Sequence, residues 1–350
     1  MTRLNGNGKK SFDRRVRTIT PQDVPAFAEF LERSGPVTGE FARSVPSLLR
    51  RLIADETLHG VAVEYIFGNG VPPEPAAFGL SGFVTKECAA KYLASPSPHI
   101  ALLLLHQELH DRKTSPFLTL QEVAEANADG GLTLIPLCWF QRTYDQADPE
   151  AHALLAIGQQ TFFSRHLGYR LNRIIKEVPA QVASAFLGGG FEELCRFPTG
   201  TPLAFYPDAA LTQDHIVFTI TKENVQGEWP GKAIGRIFAY EPPRCAFTRS
   251  EQQVLMSAAD GLTDARIAEE LNITLTAVTL RWRSIYNRVA QHAPALLDSE
   301  EVSNGTRGHE KRRLVIAFVD EHPEELRPYF HPVRRHSKVA ACQGRPIESS

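Results

Sequence analysis

Residues 261–289 read GLTDARIAEELNITLTAVTLRWRSIYNRV and leave the chain little local choice. Gly261 and Asn272 tolerate left-handed backbone and end whatever helix precedes them. Thr263 and Thr274 each stand just before an apolar-periodic run, where a hydroxyl can cap the first free N–H groups. Upstream, Thr248-Arg249-Ser250-Glu251 has capping-box spacing. Three short helices are therefore predicted over 247–289. At 100° per residue, Val278, Trp282, Ile285 and Val289 of the third fall within about 60° of one another and form its buried stripe. Thr276, Thr279, Leu280, Arg283 and Asn287 fall opposite, with Arg281, Ser284 and Arg288 on one flank.

That third helix contains three arginines and no acid, in a chain whose net charge is −2. No global field draws such a chain to nucleic acid, so any attraction is local. Arginine, asparagine and an aliphatic side chain can read base edges in a major groove, and flanking arginines can meet phosphates. The segment resembles the LuxR/NarL-type helix-turn-helix at Gly261, Leu262, Thr263, Ile267, Ala268, Leu271, Ile273, Thr274, Val278, Ile285 and Tyr286. The resemblance implies base contacts from Thr279, Leu280 and Arg283. It implies backbone contacts from Thr263, Thr276, Arg281 and Asn287, with Thr274 and Arg288 completing the DNA-binding set. Arg266, Ala277 and Thr279 depart from the usual glutamate, threonine and lysine.

The rest of the chain alternates strand-like and helical stretches, which predicts a mixed α/β domain over 13–240 after a flexible leader at 1–12. Strands are expected at 16–19, 59–67, 77–84, 100–105, 132–140, 216–221 and 233–240. Helices are expected from Thr20 to about Gly35 and at 45–56, 119–126, 149–178 and 180–187. Glu241-Pro242-Pro243-Arg244 resists helix and sheet, so 241–246 is read as a linker. The helix-turn-helix domain follows at 247–295. The remainder, 296–350, is a polar linker, an accessory helix near 309–322 and a disordered tail.

The opening VRTITPQDVPAFAEFLERSG and the order of elements after it are similar to a GNAT-type acetyltransferase. In that likeness Arg165-His166-Leu167-Gly168-Tyr169-Arg170 resembles the R-x-x-G-x-G/A loop that holds the pyrophosphate of acyl-CoA. Arg165 and Gly168 are the weak cofactor-binding candidates it implies. Arg170 and Tyr169 stand where small residues would let backbone N–H groups approach. Trp139, Tyr144 and Asp148-Pro149 are similar to the W…Y…D-P pattern of autoinducer-binding domains, but at compressed spacing.

Five scattered cysteines without a C-x-x-C pair give neither a disulfide framework nor a zinc knuckle. His106 and His110 have i,i+4 spacing, but Gln107 replaces the metalloprotease glutamate and the preceding run reads as a strand, so no metal is expected. No catalytic set can be assembled from spacing. The longest aliphatic run, 100–105, is far short of the ~20 residues a membrane span requires.

The expectation is a cytoplasmic, non-enzymatic, homodimeric regulator of transcription without a cofactor. It would bind double-stranded DNA through its C-terminal domain and a small-molecule ligand or partner through its N-terminal one. Residues after Tyr286, including Val289 and Leu296-Leu297, would form the dimer seam. The alternatives are an acetyl-CoA-dependent N-acyltransferase fused to a DNA-binding domain, and a protein-interaction module with no DNA role.

Overall fold

The computed structural model describes residues 12–34, 39–68, 70–111, 114–225, 233–297 and 307–330. Residues 1–11 of the expected leader, most of the expected second linker and the tail from 331 lie outside them. Within them a mixed α/β part is built on a mostly antiparallel seven-stranded sheet. Its strands are β1 (Asp13–Thr18), β2 (Leu58–Ile66), β3 (Glu74–Val84), β4 (Leu132–Gln141), β5 (Leu171–Pro179), β6 (Glu192–Phe197) and β9 (His215–Thr221). Their order is β1-β2-β3-β4-β5-β9-β6, and β4 with β5 is the parallel pair. A separate two-stranded ribbon joins β7 (Pro202–Leu203) to β8 (Tyr206–Ala210).

Helices cover both faces because the central strands are apolar on both. On one face α1 (Val24–Ser34), α2 (Gly39–Ala54), α3 (Lys86–Ala94) and α4 (Ile100–His110) share a core with Phe78, Ile135, Ile175 and Val217. On the other, α5 (Leu120–Ala128) and α6 (Pro149–His166) pack with Phe83, Leu134, Ile174 and Val63. There α7 (Ala183–Gly188) covers Val178, Ile216 and Phe218. A short helix, α8 (Lys222–Val225), follows β9. Thr20 and Asp23 form the capping box that starts the turn before α1, as the Thr20-Pro21 spacing predicts.

Three expected elements are corrected. The run 100–105, expected as a strand, is the first half of α4, buried between α2 and β4. A continuous apolar run carries no period that separates a buried helix from a buried strand. The helix expected through 149–178 stops at His166; Gly168 is left-handed (φ +84°), and β5 follows, paired on both sides. The strand expected at 233–240 is a 3-10 turn over Ala233–Phe238. The charged edge strand β6 has no counterpart among the expected strands.

Beyond the α/β part lie α9 (Arg249–Ala259), α10 (Asp264–Glu270), α11 (Leu275–His292) and α12 (Arg307–Glu321). They share one apolar cluster that includes Val254, Leu255, Ile267, Trp282, Val315 and Phe318. The expected linker is held tightly: the Glu325 carboxylate accepts the backbone N–H groups of Arg244, Cys245 and Ala246, and Cys245 is fully buried. These helices dock on the α/β part through Arg327, whose guanidinium donates to the carbonyls of Ser164 and Leu167 at the end of α6. Arg165–Asp260 and Arg249–Glu56 ion pairs flank that contact.

Candidate functional site

Strands β4 and β5 pair only from Leu132↔Leu171 to Leu134↔Ile174 and then diverge. A bulge in β4, where the register against β3 slips between Leu80 and Ser81, bends it at the point of divergence. Lys176 spans the gap, its Nζ donating to the carbonyl of Pro136 at 3.0 Å. Between α6 and α7 the divergence opens a cleft of about 540 Å³, lined by Trp139, Phe162, Phe186 and Phe191 among others. Gly158 is required in its wall, because a Cβ there would sit 2.7 Å from the Trp139 ring.

Two histidines of the cleft, His59 and His166, are held neutral by burial. His59 Nε2 and His166 Nε2 lie 3.1 Å apart, and His166 Nδ1 is 2.7 Å from the carbonyl of Phe162. A carbonyl only accepts, so His166 carries its proton on Nδ1 and accepts at Nε2 from His59 Nε2–H. Burial, reinforced by Arg327 and Arg165, holds His166 down at about 3, and burial holds His59 well below the usual histidine range. Burial also lowers Lys176 and pushes the Cys138 thiol up to about 12.

The resemblance to acetyltransferases implies acyl-CoA, whose phosphates need a helix N-terminus with free N–H groups. The helix that follows β4 is α6, and its N-terminus does not fit them. Asp148 caps it, accepting from the N–H of Glu150, and Asp145 lies just before. A groove beside that end is lined by Phe12, Tyr65, Arg142 and Glu150; Arg142 is already paired with Glu74, and Glu150 with Arg14. Tyr144 occupies the edge of β4 there, its hydroxyl accepting from the N–H of Gln141 and donating to the carbonyl of Trp139.

Arg165 and Gly168 stand at the opposite, C-terminal end of α6, where the helix dipole repels anions. Arg165 pairs with Asp260, and a Cβ on Gly168 would lie 2.3 Å from the backbone N of Glu324. Both fasten the helical region, and Arg165 also lines the cleft.

In α11 the buried residues are Val278, Trp282, Ile285 and Val289, the stripe that the spacing predicts. Thr276, Thr279, Leu280, Arg283 and Asn287 are exposed. Thr263 and Thr274 cap α10 and α11, accepting from the N–H groups of Arg266 and Ala277. The flank differs from expectation. Arg288 is drawn to the Glu251 carboxylate at 3.1 Å, which also accepts from Ser284, and Arg281 is half-buried with its Nη1 covered. Arg312 reaches back to Asp264, which also accepts from the indole N–H of Trp282. Val289 is fully buried, and Leu296 and Leu297 pack on the same cluster. The apolar residues expected at a dimer seam are thus engaged within one chain.

His106 and His110 sit on α4 with ring centroids 4.2 Å apart, not at a strand end.

No family model and no curated protein matches this sequence. Solved structures do. A mutant of the spermidine N-acetyltransferase SpeG of Vibrio cholerae is 10% identical, covering 59% of this chain and 93% of its own, with a TM-score of 0.33. NAA60 of Arabidopsis thaliana in complex with acetyl-CoA is 14% identical, covering 60% and 98%, with a TM-score of 0.33. The ribosomal-protein-S18-alanine N-acetyltransferase of Escherichia coli is 13% identical, covering 60% and 94%, with a TM-score of 0.31. At such identities and scores these likenesses say nothing of activity.

The expected description of the chain as a LuxR-type regulator of transcription is corrected. No family model supports that reading. No described helix is long and apolar enough to cross a membrane.

Proposed function

We propose that the α/β part binds a compact, largely apolar ligand without phosphate groups in the cleft between α6 and α7. The observation that carries this reading is the divergence of β4 from β5, which opens an aromatic-walled space between α6 and α7. An apolar site with a few convergent polar groups is the usual form of a small-molecule pocket. Lys176, Ser81 and the His59–His166 pair supply those groups. Acyl transfer from coenzyme A is the competing use of the same cleft, and the capped, acidic start of α6 argues against it.

A thermal-shift titration separates the two. Octanamide is expected to raise the melting temperature and acetyl-CoA to leave it unchanged, with Cys138→Trp abolishing the octanamide response. Stabilisation by acetyl-CoA, with none by octanamide, would instead establish coenzyme binding and overturn the proposal.

A second reading concerns the helical region. The outward face of α11 presents hydroxyls, an amide, Leu280 (56% exposed) and Arg283 with no acid among them, and this supports duplex DNA as a partner of that face. Binding of a duplex library by the full chain across salt tests it. Weak binding that does not respond to salt would favour a protein partner.

A further inference from the structure

On the sheet face away from the cleft, three potential metal ligands converge from separate elements. Residues alternate across a strand, so Lys176 lines the cleft while Glu177 points to the opposite side. There Glu177 meets His215 across the β5–β9 ladder, where Glu177 pairs with Val217 and Pro179 with His215. Such diagonal neighbours on one face lie within side-chain reach. His99, in the turn before α4, completes the group. Ligand atoms of the three residues all lie within 4.8 Å of one another. The side chains of Glu177 and His215 are 6% and 11% exposed.

A structural role accounts for only part of this arrangement. Glu177 accepts the backbone N–H groups of His99 and Ile100 at 2.9 and 2.7 Å and so caps α4. Its Oε1 also accepts His215 Nδ1–H at 2.7 Å. Capping explains the carboxylate but not His99. That residue holds a left-handed backbone (φ 56°), which asparagine or glycine adopts more readily, and its side chain makes no capping hydrogen bond. Its ring is instead set against His215, with centroids 4.9 Å apart. The strained backbone thus places an imidazole beside a buried carboxylate and a second imidazole.

We propose that His99, Glu177 and His215 form a binding site for a divalent first-row transition ion, with Zn²⁺ the first to test. Two imidazoles and one carboxylate are a common donor set for such ions, and they leave room for water or a further ligand. Ligand atoms about 2.0–2.2 Å from a tetrahedral ion stand roughly 3.3–3.5 Å apart. Ligand atoms as much as 4.8 Å apart therefore close by up to about 1.5 Å, and the 2.7 Å His215–Glu177 contact opens by about 0.7 Å. On binding, His215 changes tautomer: the proton leaves Nδ1 and Nε2 gains one by exchange with water, so Nδ1 offers its lone pair to the metal and no net proton is lost. Glu177 keeps its capping bonds through the oxygen lone pairs the metal does not use.

The test uses the full chain, stripped with chelator and titrated with Zn²⁺ by calorimetry, and with Co²⁺ by absorption. One tight site and the visible band of four-coordinate cobalt are expected. His99→Asn suits the left-handed turn and spares the fold; it should weaken Zn²⁺ binding about tenfold or more while the metal-free protein melts no lower than wild type. His215→Gln should also abolish the cobalt band, and the double variant His106→Asn/His110→Asn should leave it intact. A folded His99→Asn protein that binds Zn²⁺ as tightly as wild type overturns the site, as does a cobalt spectrum insensitive to both single variants. This outcome is independent of the cleft's ligand, which lies on the other face of the sheet.

Discussion

The helical region and the α/β part place their polar groups in opposite ways. Around α11 the branched aliphatics and Trp282 are inside, and Thr276, Arg283 and Asn287 face water. In the α/β part the distinctive polar groups lie inside: His59, His166 and Lys176 line a cleft, and His99, Glu177 and His215 meet on the far face of the sheet. A surface that keeps its polar groups hydrated engages a large partner at little desolvation cost. A cleft that holds two neutral histidines under cover is arranged for a small ligand that replaces water. The difference also sets how each region responds to perturbation.

The largest effect is expected from Trp282→Ala. It removes the centre of the helical cluster and the hydrogen bond to Asp264. The helical region should lose about 3–5 kcal/mol, read by denaturant titration. Unfolding of the whole chain in one step at the lower stability would show that the two regions are not separable. Arg327→Met should cost about 3 kcal/mol, because two carbonyls at the end of α6 lose their buried donor. Its signature is faster proteolysis within α9–α12 than within the sheet.

Acid should act on the α/β part. His59 and His166 are held neutral below the unfolded value near 6.5. The native state therefore binds fewer protons than the unfolded state as pH falls. Their contribution is complete above about pH 6.5 and is lost as pH drops toward the folded value of about 3 for His166. Between pH 7 and pH 5 His166 should cost about 2 kcal/mol in denaturant titrations, and His59 should act in the same direction. A His166→Phe variant should show a flatter profile; an unchanged slope would remove the pair from the account. The smallest effect sharpens the exposed side of the comparison. Arg283→Ala should leave the melting temperature within about a degree, while costing ~1–3 kcal/mol of duplex affinity at one base position if the α11 face meets DNA. Arg288→Ala, by contrast, should lower stability because it strips Glu251 of its cation.

Legibility followed the range of the interactions involved. Caps at Thr248, Thr263 and Thr274 and the stripe from Val278 to Val289 are set within a few residues of one another, and the structure places them where the spacing does. The commitment of Arg288 to Glu251 joins residues far apart in the chain and could not be read from a helical wheel. In the α/β part β1–β4 were readable from their alternation. The helix α4 was not, because helices and strands buried on all sides are equally apolar. Gly168 and the following Ile174-Ile175 were the available signals for the break between α6 and β5.

The sequence by itself determined where helices start and stop around residues 248–292, which face of α11 is buried, and that several strands alternate with helices before them. These follow from capping chemistry and from periods of 3.6 and 2, which act locally. Only the tertiary structure decided that β5 lies parallel to β4 and leaves it after Ile174, that the C-terminal part of α6 walls the cleft, and that His99, Glu177 and His215 meet. Those facts depend on which distant segments share a sheet and which face each residue takes there, and no local period encodes either.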